Sequence, residues 1–271
     1  MSSTLLDDTV GDVLSAGIED AGDGLLVVNP SDQAIRDLVT ELTGADRPPK
    51  IRLFAADGVL NDLMDDFLVA SAVADLVDSG VLAVRSLPEV PTNGLLVSED
   101  SVVAVVEGPE QVAGLATTED PFVMSTFDYY DQQWHESRAF NLRTPALSTI
   151  METLEKDIGP DTAADFRAVL DSLATAQGDE NGLDEVTISL LVAARNDELL
   201  YDISRWGEDI GLASKATFSR TKTHLEESGL LDTEKVPIDV GRPRLRLMLG
   251  DRRLEDADID EFAAIAQELL A

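Results

Sequence analysis

No cysteine occurs in the 271 residues, so neither a disulfide framework nor a thiolate-bound metal can organise this chain. Histidine is nearly absent as well. The two present, His135 and His224, stand on separate segments, and nothing pairs them as metal ligands or as a catalytic acid and base. No apolar run approaches the roughly 18 residues of a membrane span. Met1 to Ile18 carries no basic leader, so a cytoplasmic protein with no membrane partner is expected. No Gly-x-Gly-x-x-Gly follows a strand-like run and no Gly-Lys-Ser/Thr loop occurs, which argues against the usual nucleotide-binding devices. Gly22-Asp23-Gly24 precedes its apolar run and is read as a turn. No enzymatic activity, cofactor or metal site is expected, because the sequence holds no catalytic constellation, and carboxylates are so abundant that an apparent pair of them is expected by chance.

Positive charge is the scarcest resource. Lys and Arg total 20 against 53 Asp and Glu, a formal charge of −33. Lysine is confined to Lys50, Lys156, Lys215, Lys222 and Lys235. Disorder is one cause of such imbalance, but 44% apolar residues in periodic runs argue against it. Adaptation to molar salt fits better, since screening there shortens to about 3 Å and self-repulsion is muted.

Against that background one stretch is exceptional. Between Arg195 and Arg253 there are 11 basic and 11 acidic residues, so the whole net negative charge lies elsewhere. A neutral block in so acidic a chain indicates that something disfavours acids there, and a polyanionic ligand is the natural candidate.

Within it, Ser214 is a preferred N-cap. Phe218 and Leu225 then share one side of a helix running to about residue 228. Ser214, Lys215, Ala216, Thr217, Ser219, Arg220, Lys222 and Thr223 supply small, hydroxylated or cationic groups, suited to a major groove. Gly229 ends the helix. Leu231 to Val236 reads as a strand, 237–244 as a turn-rich tip presenting Arg242 and Arg244, and Arg244 to Leu249 as a returning strand of period two. Arginine at a narrow hairpin tip suits phosphates or a minor groove. Upstream, Asp184 to Asn196 and Tyr201 to Ile210 read as two helices, and Gly211-Leu212-Ala213 as the turn into the third. Helix, helix, turn, helix and hairpin is the order of a winged helix-turn-helix.

The first half has a different rhythm. Thr4 to Ile18 reads as a helix with Leu6, Val10, Val13, Leu14 and Ile18 on one stripe. Gly24 to Asn29, Lys50 to Ala55 and Val81 to Leu87 read as strands. A helix from Asn29-Pro30-Ser31 to Leu42 and a long helix from Asp57 to near Gly80 lie between them. Gly94 to Val97 and Val102 to Val106 form a hairpin. The fold class expected is α/β: a small parallel or mixed α/β domain, a helical linker and a winged helix-turn-helix, bounded at 1–144, 145–182 and 183–271. Ligands of such sheets sit beyond the strands' carboxyl ends, here Asn29-Pro30-Ser31, Ala56-Asp57-Gly58 and Ser86-Leu87-Pro88. A small metabolite effector is therefore a candidate partner, with no binding residues assignable. Phe122, Phe127, Tyr129, Tyr130, Trp134 and Phe140 cluster in Pro121 to Phe140, either as a pocket wall or as packing. Gln177 to Gly182 reads as a polar linker. Asp256 to Leu270 reads as an amphipathic helix carrying Ile259, Phe262, Ile265 and Leu269, which packs on its own domain or pairs two subunits. A homodimer is expected, since DNA readers are often two-fold symmetric.

GLLVVNPSDQAIRDLV, GLLVSEDSVVAVVEG, FDYYDQQWHESRAFNLRTP, KATFSRTKTHLEESGLL and VGRPRLRLML together make the chain resemble the haloarchaeal TbsP family of TrmB-suppressor proteins along nearly its whole length. The resemblance implies a sequence-specific, double-stranded DNA-binding regulator of central carbon metabolism, acting near genes of sugar breakdown and glucose synthesis beside the TrmB regulator. The α/β segment is also loosely similar to the effector-binding domains of TrmB-like regulators, and through them to phospholipase-D folds. The His-x-Lys motif of catalytic members is missing, which argues against hydrolysis. The alternative is a winged-helix interaction module that docks on transcription machinery.

Overall fold

A computed structural model describes residues 3–7, 9–21, 24–108, 111–175, 183–237 and 243–270. The chain divides into two compact units, Met1–Leu142 and Arg143–Ala271. In chain order the first holds β1 (Ser3–Asp7), α1 (Val10–Ala21), β2 (Leu25–Val28), α2 (Asp32–Gly44), β3 (Ile51–Ala55), α3 (Asp57–Met64), α4 (Phe67–Asp78), β4 (Leu82–Ser86), β5 (Gly94–Val97), β6 (Val102–Glu107), β7 (Val112–Thr117) and α5 (Asp120–Glu136).

Its seven strands form one mixed sheet in the order β1-β7-β6-β5-β2-β3-β4. β2, β3 and β4 run parallel, and the remaining pairings are antiparallel. β2 reads Leu-Leu-Val-Val because both faces of the sheet are covered. Leu25 and Val27 enter one core with Val13, Leu14, Ile35 and Leu38 of α1 and α2. Leu26 and Val28 enter the other with Phe54, Val123, Tyr130 and Trp134.

Tyr130 and Trp134 of the aromatic stretch are thus packing, with Phe127 against them, while Phe122 and Tyr129 stay exposed. Trp134 meets Phe54 edge-on at 5.5 Å, Arg85 lies 5.1 Å over the Trp134 ring, and Arg52 binds Asp131 at 2.5 Å.

Two helices expected from the sequence take other forms. Residues 3–7 are not helical but pair antiparallel with β7, Ser3 opposite Ala116. The cause lies at Thr9, whose N–H donates to Asp12 Oδ2 at 3.1 Å while Asp12 N–H donates to Thr9 Oγ1 at 3.2 Å. This reciprocal cap fixes the start of α1 and leaves the preceding residues free to complete the sheet edge. The single long helix from Asp57 is two, because Asp66 Oδ1 accepts from Leu68 N and Val69 N at 3.1 and 3.3 Å and so restarts it.

The second unit contains α6 (Leu147–Asp157), α7 (Pro160–Thr175), α8 (Glu185–Arg195), α9 (Leu200–Asp209), α10 (Lys215–Glu227), β8 (Leu231–Val236), β9 (Arg244–Leu249), α11 (Arg252–Glu255) and α12 (Ile259–Leu270). α6 and α7, expected within a linker, instead pack in this unit. Ile150, Leu154, Phe166 and Leu170 are buried, α7 contacts α8 and α12, and Trp206 Nε1 donates to Thr153 Oγ1 at 3.0 Å. The polar linker at 177–182 lies outside the described residues. α12 buries Phe262, Ala263 and Ala266, with Arg195 5.4 Å over the Phe262 ring, so its apolar face is spent on its own unit.

Glu198 offers a pH test of this packing. Burial is the largest influence on its carboxyl and, with Asp202 and Asp197 nearby, raises it above the ordinary value of 4.5 despite the Thr162 hydrogen bond. A raised acid keeps its proton longer in the folded state, so stability falls as pH climbs from that ordinary value through the raised one. Thermal melts of Glu198→Gln should show higher stability than wild type at neutral pH, with a gain that shrinks on approaching pH 4.5. A gain constant with pH would contradict the assignment.

Candidate nucleic-acid interface

The helix-turn-helix is set by close approach. Gly207 of α9 faces the ring of Phe218 of α10, and a Cβ there would lie 2.4 Å from two ring carbons. Phe218 and Leu225 anchor α10 in the core at 0% and 1% exposure. The turn between α9 and α10 places Gly211 at φ 79°, a conformation glycine adopts without strain. Ser214 then caps α10, its side chain accepting from Thr217 N, and Gly229 at φ 75° ends the segment.

This anchoring decides what α10 shows to solvent. Ser214, Lys215, Ala216, Ser219, Arg220 and Thr223 are exposed. Thr217 is half-buried, and its Oγ1 lies 3.0 Å from Ser214 Oγ and 3.4 Å from Arg220 Nη2. Lys222 sits elsewhere: its side chain is 12% exposed and binds Glu226 at 2.7 Å, and Glu226 in turn accepts from Thr233 of β8 at 2.9 Å. Lys222 therefore fastens α10 to the hairpin instead of backing the exposed face, since the helical period carries it past the exposed arc.

β8 and β9 pair from Leu231↔Leu249 to Val236↔Arg244, as the alternating pattern predicts. A bridge between Leu199 and Arg246 adds a third strand position. Residues 238–242 of the tip, Arg242 included, lie outside the described residues. Arg244 does not project from the hairpin as expected. Its guanidinium sits 4.1 Å from the centre of the Tyr201 ring and binds Asp202 at 3.3 Å, because a flat cation gains from both an aromatic face and a carboxylate.

Lys215 and Ser219 of α10, Tyr201 and Ser204 of α9, and Pro243 and Arg244 line one cleft of about 450 Å³. Of the cations singled out in the sequence, only Lys215 and Arg244 meet in this cleft among the described residues, and both are partnered. Lys215 binds Glu208 at 2.5 Å. That hydrogen bond raises the Lys215 ammonium and lowers the Glu208 carboxyl, so both stay charged around neutrality. Arg246 binds Glu234 at 3.7 Å. Arg220 forms no ion pair among the described residues and bonds Thr217 alone. Tyr201 and Ser204 escaped the sequence reading. The one available signal was a tyrosine opening the helix before the turn, which reads equally as packing.

A second cavity, of about 420 Å³, lies in the first unit at the carboxyl end of β2 and is lined by Val10, Leu14, Asn29, Ser31, Ala34 and Gly94 among others. Asn29 is left-handed at φ 50°, and its Nδ2 donates to Pro91 O at 3.0 Å. No lysine, arginine or histidine is among its lining residues. Among the described residues no cluster of three or more His, Cys, Asp or Glu is arranged to hold a metal, and no helix is long and apolar enough to cross a membrane.

Two family models match this sequence. One, described as the N-terminal part of TbsP-like transcriptional regulators, covers residues 2–145. The other, their C-terminal HTH domain, covers residues 146–267. Among solved structures the chain is similar to TrmBL2, described as an archaeal chromatin protein with a novel mode of DNA binding, at 13% identity and a TM-score of 0.36. That match covers 51% of this chain and about half, 54%, of TrmBL2. It is also similar to the phospholipase D family member Nuc from Salmonella typhimurium (10% identity, TM-score 0.37, covering 52% of this chain and 99% of that one). NucT from Helicobacter pylori gives 10% identity and a TM-score of 0.34, covering 52% of this chain and 100% of that one. Likenesses this remote establish neither fold nor chemistry for this chain. No curated protein matches it.

Proposed function

The chain belongs to the family of TbsP-like transcriptional regulators, carrying both of that family's halves, and on that premise we propose that it reads specific sequences in double-stranded DNA and so controls genes of central carbon metabolism. α10 enters the major groove. Arg220, Ser219, Lys215 and Thr217 touch bases or phosphates, Ala216 permits close approach, and Ser214 and Thr223 flank them. Arg242 and Arg244 hold the neighbouring DNA. The observation that carries this reading is the exposed side of the first turns of α10, where Lys215 to Thr223 includes no acid and Arg220 forms no ion pair among the described residues, the acids Glu226 and Glu227 coming only in the last turn. In a molar-salt cytoplasm the counterion-release contribution is largely spent, so base and shape readout take a larger share of affinity.

The regulator acts as a homodimer. In support, Phe122 and Tyr129, one heptad apart on α5, are 53% and 48% exposed and offer apolar area for association. Sedimentation equilibrium should give twice the 29.2 kDa chain mass; a single-chain mass at micromolar concentration would refute it. The role is regulatory and non-catalytic, and a small metabolite seated in the cavity at the carboxyl end of β2 acts as effector.

Chromosome-wide occupancy mapping with and without glucose tests the reading. Discrete intergenic peaks sharing a two-fold symmetric motif are expected. Signal that merely follows transcription would show docking on the transcription machinery instead.

A further inference from the structure

The cleft between α9, α10 and β9 is lined by two cations, Lys215 from α10 and Arg244 from β9, and by the hydroxyl-bearing Tyr201 and Ser219, whereas the buried Ser204 already spends its hydroxyl on Tyr201 O at 3.2 Å. Point charges and hydroxyl donors around an open recess suit the two free oxygens of a phosphodiester. In the free protein both cations are already engaged, and both partners come from one helix: Glu208 for Lys215 and Asp202 for Arg244. The pairs are solvent-accessible, with side-chain exposures of 45% and 45% for the first and 35% and 38% for the second. Such pairs contribute little to stability, so their exchange for phosphate is easy. The carboxylates remain close by, however, and repel any backbone that approaches. A phosphate enters only when other contacts repay that repulsion, and Arg220, which has no ion-pair partner among the described residues, stands ready to supply them from α10.

We propose that this cleft is a phosphodiester seat that Asp202 and Glu208 hold shut, so that these two acids set the margin between sequence-specific and non-specific duplex binding. The proposal rests on the DNA-reading role given above. Asp202 and Glu208 are positioning residues, acting through Arg244 and Lys215. In a cytoplasm of molar salt the device is effective because screening over about 3 Å leaves direct contacts intact while erasing long-range attraction. Selectivity is then decided at contact distance.

The test compares wild type with Asp202→Asn, Glu208→Gln and the double variant by fluorescence anisotropy. The probes are a duplex recovered from the occupancy map and a scrambled duplex of equal composition, titrated at KCl from about 0.5 to 2 M. Affinity for the scrambled duplex should rise about two- to fivefold per acid removed, affinity for the recovered duplex should rise less, and the log–log salt dependence should steepen by about one per acid. Glu261→Gln, exposed on α12, removes the same charge away from the cleft and should change neither. Unchanged scrambled-duplex affinity and slope in the double variant overturns the gate while DNA reading stands. An equal gain in Glu261→Gln overturns it as well, because net charge is then the cause. A wild-type protein that does not distinguish the two duplexes overturns the DNA-reading role and the gate together.

Discussion

Phe218→Ala should cost the second unit about 3–5 kcal/mol. The ring is fully buried, and it sits where α9 comes so close that Gly207 has no room for a methyl group. Truncation removes the ring's transfer free energy and leaves a void that two rigid helices cannot close. Since domains of this size are stable by only about 5–15 kcal/mol, a large share of the margin disappears. The consequence reaches the candidate interface, because Phe218 fixes the rotation of α10 and therefore which residues it presents to solvent. Denaturant titration read by circular dichroism should show a lower midpoint with an unchanged slope. A shift below about 1 kcal/mol would mean that α10 is held by something other than the Phe218 contact.

Arg220→Ala should leave stability almost untouched and lower specific DNA affinity by about 1–3 kcal/mol, roughly 5- to 150-fold. The side chain is exposed and makes only a 3.4 Å bond to Thr217, so little in the free protein depends on it. In a groove its guanidinium offers paired donors matching the acceptors of guanine or a phosphate. Arg220→Lys separates these partners, since a point charge serves a phosphate but not a bidentate base contact. Lys222→Ala provides the opposite pattern: its covered ammonium ties Glu226, and through it Thr233, to the helix. That variant should weaken folding slightly and leave DNA affinity per folded molecule unchanged. Operator binding by Arg220→Ala equal to wild type would remove α10 from the interface.

How much of this was legible in the sequence depended on whether the signal was local. Ser214, Gly211 and Gly229 act through their own backbone, so the start of α10, the turn before it and its end could be read from the residues alone. The same holds for β8 and β9, whose alternation records one buried face. β2 was legible for the opposite reason, an unbroken apolar run that only a strand covered on both sides explains. Residues 3–7 misled because so short a segment satisfies a helical stripe and a strand equally: the Thr9–Asp12 cap stops α1 short of them, and the strand they form instead depends on the distant edge of β7. Asp66 was hidden among the abundant acids of the chain, although it divides one helix into two. The candidate interface was half legible. The exposed face of α10 follows from the helical period, and the neutrality of 195–253 was countable. The partners of those cations were not, because Glu208 meets Lys215 across a turn, and Asp202 meets Arg244 from 42 residues away. Arg244 consequently seemed free in the sequence and is engaged in the fold.

The central claim, that the exposed face of α10 reads duplex sequence, is tested most directly by selecting binders from a random duplex pool in molar KCl and footprinting the winners with hydroxyl radicals. The account predicts one enriched motif with protected backbone on both sides of a major groove, and loss of enrichment at particular base positions with Arg220→Ala. A pool that stays random after successive rounds, or a motif recovered unchanged by Arg220→Ala, would contradict it.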